Sequence, residues 1–308
     1  MELEIQNIPI QNPKHRAGFV SIIGRPNVGK STLMNALVGE KLSIITSKAQ
    51  TTRHRIMGIL NGNHNGTPFQ LVYSDTPGVL KPAYRLHESM MTFVKGSLED
   101  ADVVLFVTEV GEKIENHEVI ELLTRTDAPV VLVLNKTDLA TPEQVAERTL
   151  TWNEALHLEK VVPISALKNT NIDGLFSEII NLLPLHPPYF DSEELTDKPE
   201  RFFAAEMIRE KIFLNYKQEI PYSSEVVVMD FKEKKDIIVI RAEIWVERPT
   251  QKSILIGENG KMLKKVGIEA RTDMEAFFGK KVFLEQFVKV EPDWRNKIHR
   301  LKAFGYEE

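Results

Sequence analysis

The sequence predicts an α/β domain with a mainly parallel sheet and helices on both faces, followed by a small α+β domain. Short runs of β-branched residues alternate with helical patterns up to about residue 183, and runs such as VVLFV and VVLVL are apolar throughout. Strands that alternate with helices are joined by right-handed crossovers into a parallel sheet, and continuous apolar strands suit a sheet covered on both faces. After a proline-rich stretch the order of the elements changes, which predicts the second domain.

The length and composition exclude several classes of protein. A chain of 308 residues is long enough for two domains that each bury a core. It has no cysteine, which excludes disulfides, zinc–thiolate clusters and a thiol nucleophile. Because that composition fits a reducing compartment, we expect a cytoplasmic protein. We expect neither a signal peptide nor a membrane-spanning helix, since no apolar run approaches the ~20 residues that span a bilayer.

The two parts of the chain differ in charge. Residues 201–308 contain 21 lysines and arginines against 18 aspartates and glutamates, although the whole chain has a net charge of -5. The N-terminal part is therefore acidic and the C-terminal part is mildly basic. This asymmetry indicates that the second domain meets a polyanion.

We place the first domain at residues 17–183, after an N-terminal extension of residues 1–16. Strands and helices alternate regularly along it, which is the order expected of a parallel sheet. The expected elements are, in order, the strand FVSII, a helix from Lys30, the strand QLVYSD, a helix over 86–98, the strand DVVLFVT, a helix over 115–124, the strand PVVLVLNK, a helix over 142–156, the strand KVVPISA and a helix over 172–183.

A linker over residues 184–200 follows, in which four prolines and several acidic residues predict a polar, partly extended segment. The second domain, residues 201–308, begins with a helix over 201–215. Two alternating strands, SSEVVVMDFKE and DIIVIRAEIWVE, are joined by a charged turn and predict an antiparallel pair. Helices around KSILIG and KMLKKVGIEARTDMEAFF, the strand KKVFLEQFVKVE and a basic amphipathic C-terminal helix complete the domain.

The break between the first strand and the first helix predicts a phosphate site. Gly24, Gly29, Lys30 and Ser31 fit the spacing GxxxxGKS, with a strand before it and a helix after it. Glycines let backbone N–H groups converge on phosphate oxygens at a helix N-terminus, Lys30 adds a positive charge, and Ser31 supplies a hydroxyl to Mg²⁺. An ordinary glycine turn would lack this flanking order, so the pattern indicates a nucleoside triphosphate.

The motif DTPG follows the next strand. Asp75 at the end of that strand can hold Mg²⁺ through water, and the backbone N–H of Gly78 can sense a γ-phosphate. The motif is a common turn when it stands alone, but its place after a strand with an apolar approach favours the phosphate role.

The motif NKTD ends a later apolar strand, at the edge where open α/β sheets bind ligands. The Asp138 carboxylate can accept from the ring N–H and the amino group of guanine together, and adenine offers no such pair of donors. Asn135 would brace the loop, and the stem of Lys136 would lie along the base. Ser165 and Ala166, in ISA after the following strand, fit a loop whose backbone completes base recognition.

Together the motifs GRPNVGKS, QTTRH, DTPG, NKTD and SAL resemble those of bacterial translation-factor-class GTPases. The segment KAQTTRHRIMGI, residues 48–59, is similar to the switch region of the Era family. The resemblance implies GTP or GDP with Mg²⁺ as ligands, with Lys30 and Gly78 at the reaction centre. It implies a nucleotide site that consists of Gly24, Asn27, Val28, Gly29, Lys30, Ser31, Thr32, Asp75, Gly78, Asn135, Lys136, Asp138, Ser165, Ala166 and Leu167.

The resemblance also implies that a threonine of the first switch joins Ser31 and Asp75 at Mg²⁺. Thr51 and Thr52 are both candidates, and we take Thr52 as the expected ligand. Val79 follows DTPG, at the position where Ras-like enzymes carry a glutamine that orients water. A valine can neither accept nor donate a proton, so we expect slow intrinsic hydrolysis unless another group positions the water.

The second domain is similar to a type II KH domain. The loop Gly257-Glu258-Asn259-Gly260 between two expected helices resembles the GxxG loop that brings the backbone close to about four nucleotides. Glu258 departs from the usual basic or small residue there, and its carboxylate would repel a phosphate. The expected RNA-binding residues are this loop and the surrounding lysines, which are Lys252, Lys261, Lys264 and Lys265.

Over nearly the whole chain the resemblance implies an Era-family switch that binds the 3′ end of 16S ribosomal RNA during assembly of the small (30S) ribosomal subunit. It further implies peripheral membrane contact in a protein that we expect to be a monomer. One alternative is a passive RNA-binding assembly factor with negligible GTP turnover. Another is a P-loop enzyme that acts on tRNA or a small molecule, which the absence of cysteine and of a second P-loop disfavours.

Overall fold

A computed structural model describes residues 14–114, 118–124, 126–156, 158 and 160–307. Within these residues the first domain forms a six-stranded sheet in the order β2-β3-β1-β4-β5-β6. Its strands are β1 (Arg16–Ile23), β2 (Ile56–His64), β3 (Thr67–Asp75), β4 (Val103–Glu109), β5 (Val130–Asn135) and β6 (Lys160–Pro163). Its helices are α1 (Lys30–Val38), α2 (Arg85–Glu99), α3 (Glu118–Leu123), α4 (Pro142–Leu156) and α5 (Ile172–Leu182).

The central strands of this sheet are parallel, as the alternation of strands and helices predicts. Strand β1 pairs in parallel with β3 and β4, and β5 pairs in parallel with β4 and β6. Strand β2 runs antiparallel to β3 at the edge. Strand β2 was not predicted, because IMGILNGNH mixes glycine and asparagine with its apolar residues, and its first four residues lie in the segment that resembles the switch region. The first three residues of the expected helix over 115–124 and most of the N-terminal extension lie outside the described residues.

Helices cover both faces of the sheet. Alternate residues of β1 point to opposite sides, so Ile22 packs with α1 and α5 in one buried cluster while Ile23 packs with α2 and α4 in another. Trp152 of α4 is fully buried in the second cluster. The two apolar layers fix the carboxyl ends of the parallel strands at one edge, which is where the predicted motifs lie.

The second domain is a three-stranded sheet in the order β7-β8-β9, with helices packed on one face. Strands β7 (Glu225–Glu233) and β8 (Ile237–Val246) are antiparallel as predicted, and β9 (Lys281–Val290) is parallel to β8. The helices are α6 (Glu200–Asn215), α7 (Ile220–Ser223), α8 (Pro249–Ile256) and α9 (Lys261–Phe278). Apart from the one-turn helix α7, this is the predicted order of helix, two strands, two helices and strand.

The C-terminal segment lies against both domains. It consists of a turn at Trp294–Asn296 and the short helix α10 (Ile298–Ala303), where we expected one amphipathic helix on the second sheet. Trp294 donates from Nε1 to the carbonyl of Ser223 at 2.9 Å. Leu301 is buried in the same apolar cluster as residues of α2, so the segment joins the second domain to the first.

The linker between the domains is pinned to the first sheet. The N–H of Ile59 in β2 donates to the carbonyl of Leu195 at 2.9 Å. Gln70 of β3 is fully buried, and its Oε1 accepts from the N–H groups of Tyr189 at 2.6 Å and Phe190 at 3.0 Å. Its Nε2 donates to the carbonyl of Phe190 at 2.9 Å. The segment therefore restrains the second domain and does not act as a free spacer.

We predict that Gln70→Leu lowers the free energy of unfolding by about 2–3 kcal/mol, because it removes the buried side chain that bonds three backbone groups of the linker. Urea unfolding followed by circular dichroism measures this. Asn61→Ala is the control for the Gln70 bonds. It removes a side chain that accepts from Gln70 at 2.9 Å and donates to the linker carbonyl of Ser192 at 3.2 Å, but it leaves the bonds from Gln70 to the linker; we expect it to cost about 1 kcal/mol or less. Equal losses in the two variants would contradict the assigned role.

Candidate nucleotide site and RNA-binding loop

The loop between β1 and α1 requires glycine at two positions. A Cβ at Gly24 would lie 2.2 Å from the carbonyl oxygen of Val107, and one at Gly29 would lie 2.2 Å from Nδ2 of Asn135. Gly29 also has a φ of 100°, in the left-handed region that side chains disfavour. The two glycines thus allow the backbone of this loop to lie close to the neighbouring strands. The N-terminus of α1 is then open to an anion.

Lys30 places its ammonium group over this loop. The side chain is buried, and Nζ donates to the carbonyls of Gly24 at 3.2 Å and Arg25 at 3.0 Å. Burial lowers the pKa of Lys30 to about 8, although the negative charge of Asp75 opposes this shift. A bound anion would restore the preference for the charged form, so the loop is poised for phosphate.

Three oxygen-bearing side chains converge beside Lys30. Ser31 donates from Oγ to Oδ2 of Asp75 at 2.7 Å, and Thr52 Oγ1 lies 2.9 Å from Ser31 Oγ and 3.4 Å from the same carboxylate oxygen. Burial raises the pKa of Asp75, and its Oδ1 makes no hydrogen bond with the described residues. Mg²⁺ prefers hard oxygen ligands of this kind, and a buried carboxylate without a cation is costly, so the cluster fits this metal.

The structure also separates the two candidate threonines. The hydroxyl of Thr51 turns away from the cluster, lying 2.6 Å from Oγ1 of Thr46 and donating to the carbonyl of Lys48 at 2.6 Å. Thr52, in contrast, faces Ser31 and Asp75. Of the two, only the Thr52 hydroxyl therefore belongs to the oxygen cluster.

The DTPG motif closes the phosphate end of the cleft. A Cβ at Gly78 would lie 2.7 Å from the backbone of Pro26, so only glycine fits there. The N–H of Val79 donates to the carbonyl of Gly24 at 3.0 Å, and the valine side chain is buried. Val79 therefore presents no polar group to the cleft, as expected from its chemistry.

The base end of the cleft is built from β5 and the loop after β6. Asn135 donates from Nδ2 to the carbonyl of Val28 at 2.9 Å and accepts from the N–H of Ala166 at 3.0 Å, so it braces the two loops as predicted. Asp138 accepts from Oγ of Ser165 at 2.5 Å, which orients the carboxylate that we assign to guanine. Lys136 forms an ion pair with Glu109.

These residues surround one cleft of about 320 Å³ between the first switch and the base loops. Most of the predicted nucleotide residues line it, including Leu167, and Gly24, Val28, Asp75, Ser165 and Ala166 lie behind that surface. The sequence analysis did not single out several first-switch residues in the wall, although they stand directly before the quoted threonines; they are Ile44, Ile45, Thr46, Lys48 and Gln50.

The GxxG loop lies between α8 and α9 as predicted. Gly257 has a φ of 71°, and a Cβ there would lie 2.7 Å from Cγ of Met262. Glu258 and Asn259 are exposed at the tip, as are Lys261, Lys264 and Lys265, and Lys252 is half-buried. Lys265 lies 3.7 Å from Glu269, which offsets part of its charge. Beside the loop, α9 and β9 line a groove of about 220 Å³ that includes Lys264.

Comparison with known proteins gives the same two-part assignment. The 50S ribosome-binding GTPase family matches residues 19–136, and the KH domain family matches residues 219–295. GTPase Era of Geotalea uraniireducens is 46% identical over 295 residues, covering 95% of this chain and 98% of the relative. GTPase Era of Staphylococcus haemolyticus is 42% identical over 298 residues, covering 96% and 98%. The chain belongs to the Era family of GTPases.

Solved structures of Era match nearly the whole length of this chain. Era in complex with MgGDPNP and nucleotides 1506–1542 of 16S ribosomal RNA has a TM-score of 0.90 at 38% identity, covering 96% of this chain and 100% of that one. A variant of Aquifex aeolicus Era bound to GDP and AlF4⁻ also has a TM-score of 0.90 at 38% identity, covering 95% and 100%. The predicted fold class and GTPase activity of this Era-family chain are thereby confirmed.

The first switch of this Era-family chain is docked on the second domain. Arg53 is fully buried, and its guanidinium donates to the carbonyls of Pro221 at 3.0 Å, Tyr222 at 3.1 Å and Ser224 at 2.8 Å. It also pairs with Glu225 Oε2 at 3.0 Å. The same Glu225 oxygen accepts from the hydroxyl of Tyr306 at 2.6 Å, while the Tyr306 ring stacks on His54.

A second buried arginine reaches the switch from α6. Arg209 pairs with Glu206 and donates to the backbone carbonyl of Thr51, which directly precedes the metal-facing Thr52. Lys48 donates to the carbonyls of Phe213 and Tyr216 at the end of the same helix. These contacts were not predicted, because a glutamate and an arginine three residues apart are also common on a solvent-exposed helix.

The described residues contain no group of three or more histidine, aspartate or glutamate side chains that could hold a metal ion by themselves. None of their helices is long and apolar enough to cross a membrane.

We predict that Thr52→Ala raises the Mg²⁺ concentration needed for half-maximal binding of a non-hydrolysable GTP analogue by at least about fivefold, because it removes one oxygen of the metal cluster. Fluorescence titration of the analogue at several Mg²⁺ concentrations measures this. Thr51→Ala is the matched control, and we expect a change below about twofold, because its hydroxyl faces Thr46. An equal response of the two variants would contradict the assignment.

Proposed function

We propose that the chain is a GTP-hydrolysing switch that binds the 3′ region of 16S ribosomal RNA through its second domain and assists assembly of the 30S subunit. The observation that carries this is the cluster of Ser31, Thr52 and Asp75, formed by a switch whose next residue, Arg53, is buried in the KH-type domain. Era of known structure binds this ribosomal RNA segment together with a magnesium-bound GTP analogue, which supports the same partners for this chain.

The residue roles that we propose are supported by the positions of the residues in the cleft and in the second domain. We assign GTP and GDP to the cleft with Mg²⁺ at Ser31, Thr52 and Asp75, and the reaction centre to Lys30 and Gly78. Guanine is assigned to the loops of Asn135 to Asp138 and Ser165 to Leu167. RNA is assigned to the GxxG loop and to Lys252, Lys261, Lys264 and Lys265. These roles divide the chain into a GTPase domain over 17–183, a linker over 184–200 and an RNA-binding domain over 201–308.

The coupling of the two activities is assigned to the docked first switch. Arg209 and Arg53 hold the backbone on either side of Thr52, so the second domain supports the conformation that the metal requires. Loss of the γ-phosphate would release Thr52 and weaken this docking. Because linkage is reciprocal, RNA that favours the docked second domain would also favour GTP.

We also propose that the protein acts as a cytoplasmic monomer with peripheral membrane contact, as the Era resemblance implies. The C-terminal segment is the candidate for that contact, since Ile298 is exposed there beside several cations. Two of these cations, Lys297 and Arg300, pair with Glu291, which leaves less charge for a lipid surface.

Val79 favours a second candidate function, that of a passive RNA-binding assembly factor with negligible GTP turnover. Its buried apolar side chain cannot orient water. Single-turnover hydrolysis with and without the ribosomal RNA segment separates the two functions, because only the switch should show cleavage that RNA alters.

We predict that the intact chain prefers GTP and GDP to ATP and that Asp138→Ala abolishes the preference, with GTP binding at least about tenfold weaker, because the guanine donors lose their shared acceptor. Fluorescent-nucleotide titration measures this. Asp173→Ala, an exposed aspartate on α5, serves as the control and should leave affinity unchanged. Equal affinity of the intact chain for ATP and GTP would refute the assignment of guanine.

We predict that Arg53→Met reduces the ratio of RNA affinities between the GTP-analogue and GDP states at least about fivefold, because it uncouples the switch from the second domain. Titration of the 16S 3′-end RNA into each nucleotide state measures the ratio. In Arg53→Met the Glu225 carboxylate is left buried without its partner. The double variant Arg53→Met with Glu225→Gln removes that charge, so it should fold stably and show the same fall in the ratio of RNA affinities.

Arg55→Met is the matched control for this coupling. Arg55 lies two residues further along but contacts Ser74 at 3.0 Å and Asp100 at 2.6 Å, both within the first domain. Its replacement should leave the ratio of RNA affinities near that of the intact chain. If the ratio of RNA affinities falls equally in both variants, the fall results from general disturbance of the segment and not from the loss of docking.

A further inference from the structure

The residue after the DTPG motif offers no side chain that could orient the attacking water. Val79 is buried, and its backbone N–H is bound to the carbonyl of Gly24. A group that orients water must offer an acceptor for the water proton within the phosphate end of the cleft. The remaining candidates for that group are side chains of the first switch.

The first switch supplies several polar side chains to the cleft, and most of them are engaged elsewhere. Thr52 belongs to the metal cluster, Thr46 and Thr51 bond to each other, and Lys48 donates to the end of α6. Gln50 remains. It lines the same cleft as Lys30 and Gly78, and its φ of 59° places it in the left-handed region.

Gln50 is tethered to the second switch. The hydroxyl of Tyr84 donates to Oε1 of Gln50 at 3.3 Å, and Tyr84 stands six residues after Gly78. This bond fixes which end of the carboxamide is the acceptor. A carboxamide oxygen has two lone pairs, so Oε1 keeps one acceptor site and Nε2 keeps its donors.

Tyr84 is itself held by the second domain. The guanidinium of Arg295 lies 4.5 Å from the centre of the Tyr84 ring, and Arg295 pairs with Glu247 at 2.5 Å. The ring of His87 lies 3.8 Å away. The tyrosine is thus packed between α2 and the C-terminal segment, which limits the rotation of the hydroxyl that holds Gln50.

We propose that Gln50 is the catalytic residue that orients the attacking water in GTP hydrolysis, and that Tyr84 is the positioning residue that holds its carboxamide. The inference rests on the proposed assignment of the cleft to GTP. Oε1 accepts a hydrogen bond from the water, and Nε2 donates to an oxygen of the γ-phosphate.

The step balances without a further reactant. The water oxygen forms a bond to the γ-phosphorus, and the bond between that phosphorus and the β–γ bridging oxygen breaks, with its electron pair leaving on GDP. One water proton stays on the new phosphate hydroxyl and the other passes to a γ-phosphate oxygen, which gives dihydrogen phosphate. Gln50 orients the water and is unchanged at the end of the step.

The test compares Gln50→Leu and Tyr84→Phe with the intact chain. We expect Gln50→Leu to lower kcat at least about tenfold, the scale of losing one well-placed polar group at a reaction centre. The affinities for GDP and for a non-hydrolysable GTP analogue should stay within about twofold, because the amide acts in the transition state. Affinity for GDP with aluminium fluoride, which imitates the transferring phosphoryl group, should fall by a factor similar to that for kcat.

Tyr84→Phe separates positioning from packing, because it keeps the ring under Arg295 and removes only the hydroxyl. We expect kcat to fall in the intact background and to change little further when Tyr84→Phe is added to Gln50→Leu, since the tyrosine acts through the glutamine. Gln144→Leu and Tyr189→Phe are the controls, as Gln144 is exposed on α4 and Tyr189 lies in the linker.

Three results would overturn the proposal. The first is an unchanged kcat in Gln50→Leu. The second is a loss of affinity for GDP in that variant as large as its loss of affinity for GDP with aluminium fluoride. The third is a fall in kcat on Tyr84→Phe that is equally large in the intact chain and in Gln50→Leu. Failure of the intact chain to bind or hydrolyse GTP would instead overturn the proposed function together with this inference. Normal hydrolysis in the intact chain with an unchanged kcat in Gln50→Leu overturns the inference alone.

Discussion

Burial of the Arg53 guanidinium against the second domain is the contact on which the arrangement of the two domains depends. Moving a cation out of water costs several kcal/mol unless its donors are satisfied and its charge is paired. Here the carbonyls at the end of α7 and the Glu225 carboxylate accept from both terminal nitrogens of the guanidinium and pair its charge, while Nε has no hydrogen-bond partner among the described residues. Removing either side of the contact would leave an uncompensated charge in the interior, so docking and undocking of the first switch should involve the domains as whole units.

The docked arginine and the metal-facing threonine are neighbours in the chain. A shift of Arg53 moves the backbone of Thr52, because successive Cα atoms are fixed about 3.8 Å apart. Arg209 adds a second restraint at the carbonyl of Thr51. The part of the metal and nucleotide binding free energy that differs between the docked and undocked switch therefore stabilises the contact between the domains, and the same coupling free energy must appear in the affinity for whatever ligand favours that contact.

Much of the fold and of the nucleotide site could be predicted from the sequence, because each motif is contiguous and follows a parallel strand. The carboxyl ends of such strands meet at one edge, so Lys30, Asp75 and Asp138 are brought together by topology alone. Strand β2 was missed because its pairing with β3 is a tertiary contact that its mixed composition does not signal. Thr51 and Thr52 have the same chemistry next to each other, and only the contacts of the folded chain, such as those of the Thr52 hydroxyl with Ser31 and Asp75, distinguish them.

The replacement of a polar residue by Val79 changes where control over hydrolysis can reside. In a site whose second switch carries the water-orienting group, that group forms part of the same segment that senses the γ-phosphate. In this chain the orienting group is Gln50, three residues before the buried Arg53, and its tether Tyr84 is packed beneath Arg295 of the second domain. Water orientation and domain docking therefore share one short segment. Movement of the second domain away from that segment would loosen both, so slow hydrolysis by the undocked protein follows from the same contacts that would transmit RNA binding to the nucleotide site.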